Sequence, residues 1–194
     1  MPDPITRPRG DDDLPVLLEI LGRQQAQTGY PFHWPPRHRG SAEGFIRRPT
    51  ELEAWVAELD GAVVGHVAIQ SVSEGDLGRM WADAHGVPLD RLRCISVLYA
   101  DRRLPRRGIG SALLDRATER ASSGGGAPVL DVVAGRVEPL NLYRSRGWRE
   151  VGRFRPEWLP GSEEPIHVMI LPLAEDGGPR GTRTHNLRIK SPQL

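Results

Sequence analysis

Several features that would assign a chain to a membrane, secreted or metal-binding class are missing from this 194-residue sequence. Its one cysteine, Cys94, cannot form an internal disulfide, which favours a reducing compartment. No apolar run approaches the roughly 20 residues of a membrane span, and the opening MPDPITRPRGDDD lacks the apolar core of a secretory signal. The six histidines are scattered without an i, i+4 pair, so we expect no metal site. These absences predict a cytoplasmic protein without a membrane partner.

A strong overall charge is also missing. The 26 basic and 25 acidic residues leave a net charge of +1, so no global field indicates nucleic acid as a partner. The basic residues do cluster locally, because Arg102, Arg103, Arg106 and Arg107 lie within six positions. Such a run is commonly a solvated face, but these arginines lie beside paired glycines. An anionic ligand is therefore the favoured interpretation.

The apolar pattern predicts one α/β domain over residues 1–173. The expected order is strand, helices, hairpin, strand, helix, strand, helix, strand and strand, with a short helix possible in the polar insertion at 73–90. The clearest element is a hairpin over 51–70, where Asp60 and Gly61 form a common tight-turn pair. The strand–helix–strand centre favours one parallel pairing.

Residues 174–194 differ from the rest, because they have little periodic apolar character. We expect a disordered tail. A basic nucleic-acid arm is the weaker alternative, since its charges are sparse. A third interpretation is that the reading frame continues into a neighbouring transfer RNA gene, which would make the tail a read-through artefact without function.

The stretch RRGIGS, residues 106–111, places Gly108 and Gly110 at the start of an amphipathic helix. A helix N-terminus presents unpaired N–H groups, and glycine removes the β-carbon that would keep a phosphate away from them. A tight-packing turn is the alternative. A dinucleotide-binding fold is disfavoured, because Leu113 stands where its motif has a third glycine. A P-loop is excluded, because no lysine followed by serine or threonine closes the turn.

Four segments in this order resemble the GNAT superfamily of acyl-coenzyme A-dependent N-acetyltransferases. LYADRRLPRRGIGSALL (98–114) is similar to its acetyl-coenzyme A motif, and NLYRSRGWREVG (141–152) to a second signature. WVAELDGAVVGHVAI (55–69) resembles its central hairpin, and ITRPRGDDDLPVLLEIL (5–21) its opening strand and helix. The resemblance covers roughly residues 4–173.

The resemblance implies a mixed, mostly antiparallel sheet with a splayed central parallel pair and flanking helices. It also implies acetyl-coenzyme A (acetyl-CoA) as cosubstrate and no metal. The pantetheine arm would meet the backbone of Leu98, Tyr99 and Ala100. The pyrophosphate would lie against Arg106, Arg107, Gly108, Ile109, Gly110 and Ser111. Tyr143 occupies the position of a tyrosine that protonates the departing thiolate.

Acetyl transfer to an amine also needs a group that removes the ammonium proton. Asp131 is a candidate base, because it is a carboxylate inside an apolar strand. The alternatives are His66, water, or a merely structural Asp131 paired with arginine. Tyr143 could likewise serve only packing, since Leu140 and Tyr143 share an i, i+3 face. No adjacent histidine activates Cys94, so we expect direct transfer in a ternary complex rather than an acyl-cysteine.

We therefore predict an N-acetyltransferase that acts on a primary amine, either a small molecule or a protein N-terminus. Tyr30, Phe32, His33 and Trp34 could form the acceptor pocket or simply cover the sheet, and Trp81 and Asp83 could form a second wall. The rival prediction is a non-catalytic sensor of acyl-coenzyme A, because Pro105 and Arg136 depart from the family pattern. An edge strand within 165–173 could pair between chains, which leaves monomer and homodimer open.

Overall fold

The computed structural model describes residues 3–29, 31–32, 41–135 and 137–173. The strands in this part of the chain are β1 (Ile5–Pro8), β2 (Glu51–Leu59), β3 (Ala62–Ser71), β4 (Leu92–Ala100), β5 (Ala127–Val132), β6 (Arg149–Phe154) and β7 (Ile166–Ile170). The helices are α1 (Leu14–Thr28), α2 (Ala42–Ile46), α3 (Asp76–His85), α4 (Ile109–Ser122) and α5 (Val137–Ser145). None of these described helices is long and apolar enough to cross a bilayer.

The strands form one mixed sheet in the order β1-β2-β3-β4-β5-β7-β6. Its first four strands are antiparallel, β4 and β5 are parallel, and β7 lies antiparallel between β5 and β6. The α/β class and the mixed sheet predicted from the sequence are confirmed. The hairpin also forms as predicted, with Asp60 and Gly61 both at positive φ in its turn.

The prediction of an edge strand within 165–173 is wrong. β7 lies inside the sheet, and all five of its residues are buried. β6, which precedes it in the chain, is the edge strand and is largely exposed. The run IHVMI is apolar on both faces apart from one histidine, and this pattern is typical of an interior strand.

Helices cover both faces of the sheet. α4 and α5 pack on one face, where Leu113, Leu114 and Tyr143 join the largest apolar cluster. We call this the α4 face. α1 and α2 cover the other face through Leu17, Ile46 and their neighbours, and α3 covers the same side near β5 and β7. We call this side the α1 face.

A glycine in β3 sets how closely α4 approaches the sheet. A β-carbon built on Gly65 would lie 2.9 Å from side-chain atoms of Ile109 and Leu113 and from the carbonyl oxygen of Tyr99. Contacts this short force the neighbouring atoms to move. Gly65 thus lets the first turns of α4 lie directly against β3 and β4.

Candidate active site

The central parallel strands separate shortly after they meet. Residues 92–94 of β4 lie opposite residues 127–129 of β5. Beyond these positions β4 pairs only with β3, up to Ala100, while β5 continues to pair with β7, up to Val132. The β4 edge from Ile95 to Ala100 therefore has no strand partner toward β5 within the described part of the chain. Its backbone groups can pair with an extended ligand.

The three residues predicted to meet a pantetheine arm lie on this open edge. Leu98 and Ala100 pack against the cluster of the α4 face, whereas the Tyr99 ring packs on the α1 face. The buried Tyr99 hydroxyl donates a hydrogen bond to the carbonyl of Leu17, 3.2 Å away. Burial raises the pKa of Tyr99 well above its usual value, so the phenol stays protonated. The tyrosine side chain thus ties β4 to α1.

A β-bulge interrupts β4 at Val97. The register with β3 passes from Ala68–Ser96 to His66–Tyr99, so β4 contains one extra residue there. Val97 has a φ of 52°, a left-handed conformation that is unfavourable for a β-branched residue. The bulge therefore needs support from its surroundings.

His66 supplies that support. Its Nδ1 lies 2.9 Å from the Val97 carbonyl oxygen, and its Nε2 lies 3.1 Å from a guanidinium nitrogen of Arg9. A carbonyl only accepts and a guanidinium only donates, so the neutral ring carries its proton on Nδ1. The ring is fully buried, and burial lowers the pKa of His66 to about 3. The Arg9 guanidinium donates to both carboxylate oxygens of Glu51, with nitrogen–oxygen distances of 2.6 and 3.0 Å, so the two charges compensate each other.

The glycine turn leads from the end of β4 into α4. Gly108 occupies the N-cap with a φ of 72°, a conformation that favours glycine. A β-carbon on Gly110 would meet only a methyl group of Leu142, at 3.8 Å, so the space over the first turn of α4 is open. Arg106 is exposed and Arg107 is half-buried beside this turn. Open amides, a helix N-terminus and guanidinium groups together suit an anion.

Asp101 organises the approach to the turn. Its carboxylate, only 5% exposed, accepts hydrogen bonds from the backbone N–H and the guanidinium of Arg103 and from Arg23. The hydrogen bonds from Arg103 hold the pKa of Asp101 below its usual value. The charged Asp101 thus holds the turn in place through its hydrogen bonds with Arg103 and Arg23.

The two predicted catalytic side chains lie on opposite faces of the sheet. Leu130 and Val132 belong to the cluster of the α4 face, so Asp131 between them points to the α1 face, half-buried. Tyr143, on α5, is 8% exposed within the α4-face cluster, and its ring packs edge-on against Trp148 at 6.2 Å between centroids. The sheet therefore lies between the two side chains.

The predicted acceptor-pocket residues are only partly described. Tyr30, His33, Trp34 and Arg136 lie outside the described residues. Phe32 packs at 6.4 Å from the ring of Trp158 and contacts the apolar cluster at the end of β5.

The candidates from α3 and Cys94 contribute no side chain shown to face the open edge within the described part of the chain. Trp81 is buried under α3, and Asp83 is exposed on that helix. Cys94 is buried with a free thiol. No group of three or more potential metal ligands occurs among the residues that the structure describes.

Sequence reasoning missed the Arg9–Glu51 pair and the bulge at Val97. The histidine itself was noticed, but its partners come from β4 and from Arg9, 57 positions earlier in the chain. The bulge has no local signal, because valine is among the residues least suited to positive φ. The available signal was the alternation of side chains along β3, which directs His66 to the interior.

Comparison with known proteins gives a consistent assignment. A family model described as the acetyltransferase (GNAT) family matches residues 21–148, more than half of the chain. The N-acetylaspartate synthetase of Danio rerio is 33% identical over 135 residues, which are 68% of this chain and 42% of that protein. The chain thus spans less than half the length of this relative.

Solved structures share the fold at lower identity. An N-acetyltransferase from Staphylococcus aureus Mu50 has a TM-score of 0.66 and 19% identity, over 89% of this chain and 100% of that one. NAA60 of Arabidopsis thaliana in complex with acetyl-CoA has a TM-score of 0.62 and 19% identity, over 86% and 98% of the chains. The ribosomal-protein-S18-alanine N-acetyltransferase of Escherichia coli has a TM-score of 0.61 and 19% identity, over 90% and 96%.

Proposed function

Because the chain belongs to the GNAT acetyltransferase family, we propose that it transfers the acetyl group of acetyl-CoA to a primary amine by direct attack within a ternary complex. The observation that carries this proposal is the opening between β4 and β5, which begins after Cys94. The free backbone edge of β4 lies there between a candidate base on the α1 face and a candidate acid on the α4 face.

The glycine turn fits the diphosphate of acetyl-CoA. The open space over Gly110 would admit phosphate oxygens to the first amides of α4, and Arg106 and Arg107 would add positive charge. The open edge of β4 at Leu98, Tyr99 and Ala100 would hold the pantetheine amides as a further strand would. A backbone N–H at the bulge would polarise the thioester carbonyl.

The chemistry needs one proton removed and one supplied. We assign removal of the ammonium proton to Asp131, directly or through water, because its carboxylate lies on the α1 face. His66 is a poor base, since its Nε2 lone pair already accepts from Arg9 and burial lowers its pKa to about 3.

The amine nitrogen then bonds to the acyl carbon, and the carbon–sulfur bond breaks. Tyr143 protonates the departing thiolate. Because a thiol has a pKa near ~8.5, this acid assists the step without being essential.

The acceptor is a small amine or a protein N-terminus. One relative is named for the synthesis of N-acetylaspartate, a small molecule, and a neighbour of the same fold is named for acetylation of a ribosomal protein alanine. We place the reaction in the cytoplasm, where acetyl-CoA would be available and the one cysteine would stay reduced.

The test is release of coenzyme A thiol from acetyl-CoA over a panel of amines, together with direct measurement of acetyl-CoA affinity. Thiol release that depends on an amine supports the proposal. Binding of acetyl-CoA without release over the whole panel would favour the non-catalytic sensor, for which Pro105 is the main sequence argument.

A substitution at Gly110 tests the phosphate site itself. Gly110→Val should raise the Kd for acetyl-CoA at least tenfold, about 1.4 kcal/mol, because the new side chain occupies the space over the amides. Gly161→Val is the matched control, since a β-carbon on Gly161 would also meet open space and Gly161 is not part of the turn or of α4. Equal affinity of the two variants would show that the turn serves packing alone.

A further inference from the structure

The α1 face of β3 and β4 contains two buried polar groups without partners. Gln70 is 3% exposed, and its Oε1 accepts a hydrogen bond of 2.8 Å from the Thr50 hydroxyl. Among the residues that the structure describes, its Nε2 has no hydrogen-bond partner, and neither has the buried Oγ of Ser96. Leaving a buried amide N–H without a partner destabilises the folded state, so such a group is uncommon unless water or a ligand satisfies it.

The strand register places both groups beside the bulge. Gln70 lies opposite Cys94, and Ala68 lies opposite Ser96. Cys94 packs in the cluster under α3, so this row of residues faces the same side as α1 and α3. Ser96 directly precedes Val97, where β4 bulges. Ser96 thus borders the opening, and Gln70 lies one strand further from it, both on the side of Asp131.

Arg48 adds a positive charge to this side that no carboxylate in the described part of the chain pairs with. It is half-buried, its guanidinium lies 5.1 Å from the ring centroid of Phe45, and its Nε donates to the Phe45 carbonyl at 3.2 Å. No ion pair links it to a carboxylate among the described residues. Its charge still acts on His66, which holds the bulge. Arg47, by contrast, is paired with Asp11 at 3.0 Å.

Donors and a carboxylate therefore flank the open edge from two sides. Arg48 and the Gln70 amide lie toward β2 and β3, and Asp131 lies across the opening on β5, two residues beyond the position paired with Cys94. We propose that the acceptor is a primary amine that also contains a carboxylate, with the carboxylate bound by Arg48 and Gln70 and the amine directed to Asp131. This inference rests on the proposed acetyl transfer.

Charge complementarity explains the choice of acceptor. A carboxylate can accept from the guanidinium and from the Gln70 amide, which satisfies the buried N–H and neutralises Arg48. A neutral group such as a carboxamide offers a weaker acceptor and leaves Arg48 uncompensated. A peptide N-terminus has no carboxylate next to its amine unless the side chain supplies one.

The test compares amino acids with their carboxamides as acceptors, at fixed acetyl-CoA. Each pair shares the amine and the side chain and differs in the carboxylate. We expect kcat/KM to be at least tenfold higher for the acid of the best pair. Arg48→Met should raise KM for that acid at least tenfold, while its Kd for acetyl-CoA and its Tm stay close to the parent values.

Arg47→Met is the matched control and should leave KM for the acid unchanged. Equal kcat/KM for acid and carboxamide, a preference for peptide amides, or an Arg48→Met enzyme with unchanged KM would overturn this inference and leave the acetyl transfer standing. An absence of thiol release with every amine would overturn the proposed function and the acceptor assignment together.

Discussion

The buried state of His66 predicts a specific dependence of stability on pH. The fully buried ring has its pKa lowered to about 3, first by burial and also by the charges of Arg9 and Arg48, which outweigh the opposing effects of the Val97 carbonyl and the Asp13 carboxylate. An unfolded histidine has a pKa near ~6.5. The pKa is thus lower in the folded state, so the stabilisation present above pH 6.5 is lost as the pH falls from about 6.5 toward 3.

The size of the effect follows from the linkage between proton binding and folding. Below a pH of ~6.5 the unfolded chain binds a proton at this position and the folded chain does not, which costs about 1.4 kcal/mol per pH unit. Between pH 7 and pH 5, His66 should therefore reduce the free energy of unfolding by about 2 kcal/mol.

The measurement is urea unfolding, followed by tryptophan fluorescence, of the parent protein and His66→Gln at both pH values. Glutamine can also donate to Val97 and accept from Arg9, but it does not titrate. On acidification the free energy of unfolding of the parent should fall by about 2 kcal/mol more than that of the variant. The other titrating groups contribute equally to both proteins, so their effects cancel in this comparison.

An equal loss in both proteins would refute the reasoning. A direct NMR titration of the folded parent gives a second check that does not depend on the stability of the variant. The His66 ring should show no protonation above pH 4, and a midpoint near pH 6 would contradict the proposed tautomer and its partners.

Three further predictions concern the catalytic acid, the tail and the packing of α4. Tyr143→Phe should lower turnover roughly 10²-fold, with acetyl-CoA affinity nearly unchanged; parent-like turnover where chemistry limits the rate would leave Tyr143 a packing residue. Removal of residues 174–194 should change neither Tm nor turnover, and a large loss of either would show that the tail docks on the domain. Gly65→Ala should lower the free energy of unfolding by about 1–3 kcal/mol in denaturant melts, because its β-carbon would lie 2.9 Å from Ile109 and Leu113; an unchanged midpoint would contradict this close packing.

Features encoded by neighbouring residues could be predicted from the sequence. The hairpin turn at Asp60 and Gly61 and the glycine turn before α4 depend on backbone conformations that glycine favours, so a short stretch identifies them. The splayed parallel pair followed from a family resemblance across several such stretches, rather than from any single one.

Features that depend on contacts distant in sequence were missed. The run IHVMI is typical of an interior strand, but it does not identify β5 and β6 as its neighbours, because strand order depends on how the whole sheet assembles. The bulge at Val97 and the pairing of His66 with Arg9 likewise depend on side chains brought together only by folding. Sequence patterns therefore located the turn, whereas the support of the bulge is visible only in the folded structure.

The short pairing of β4 with β5 divides the sheet into two parts that few backbone contacts connect. Three register positions join a four-stranded half, β1 to β4, to a three-stranded half made of β5, β7 and β6. α4 bridges this seam, since its buried residues share one cluster with β2, β3, β4 and β5. The helix whose first amides we propose to bind phosphate thus also spans the junction of the two halves, so we expect a change at its N-terminus to alter the width of the opening between β4 and β5.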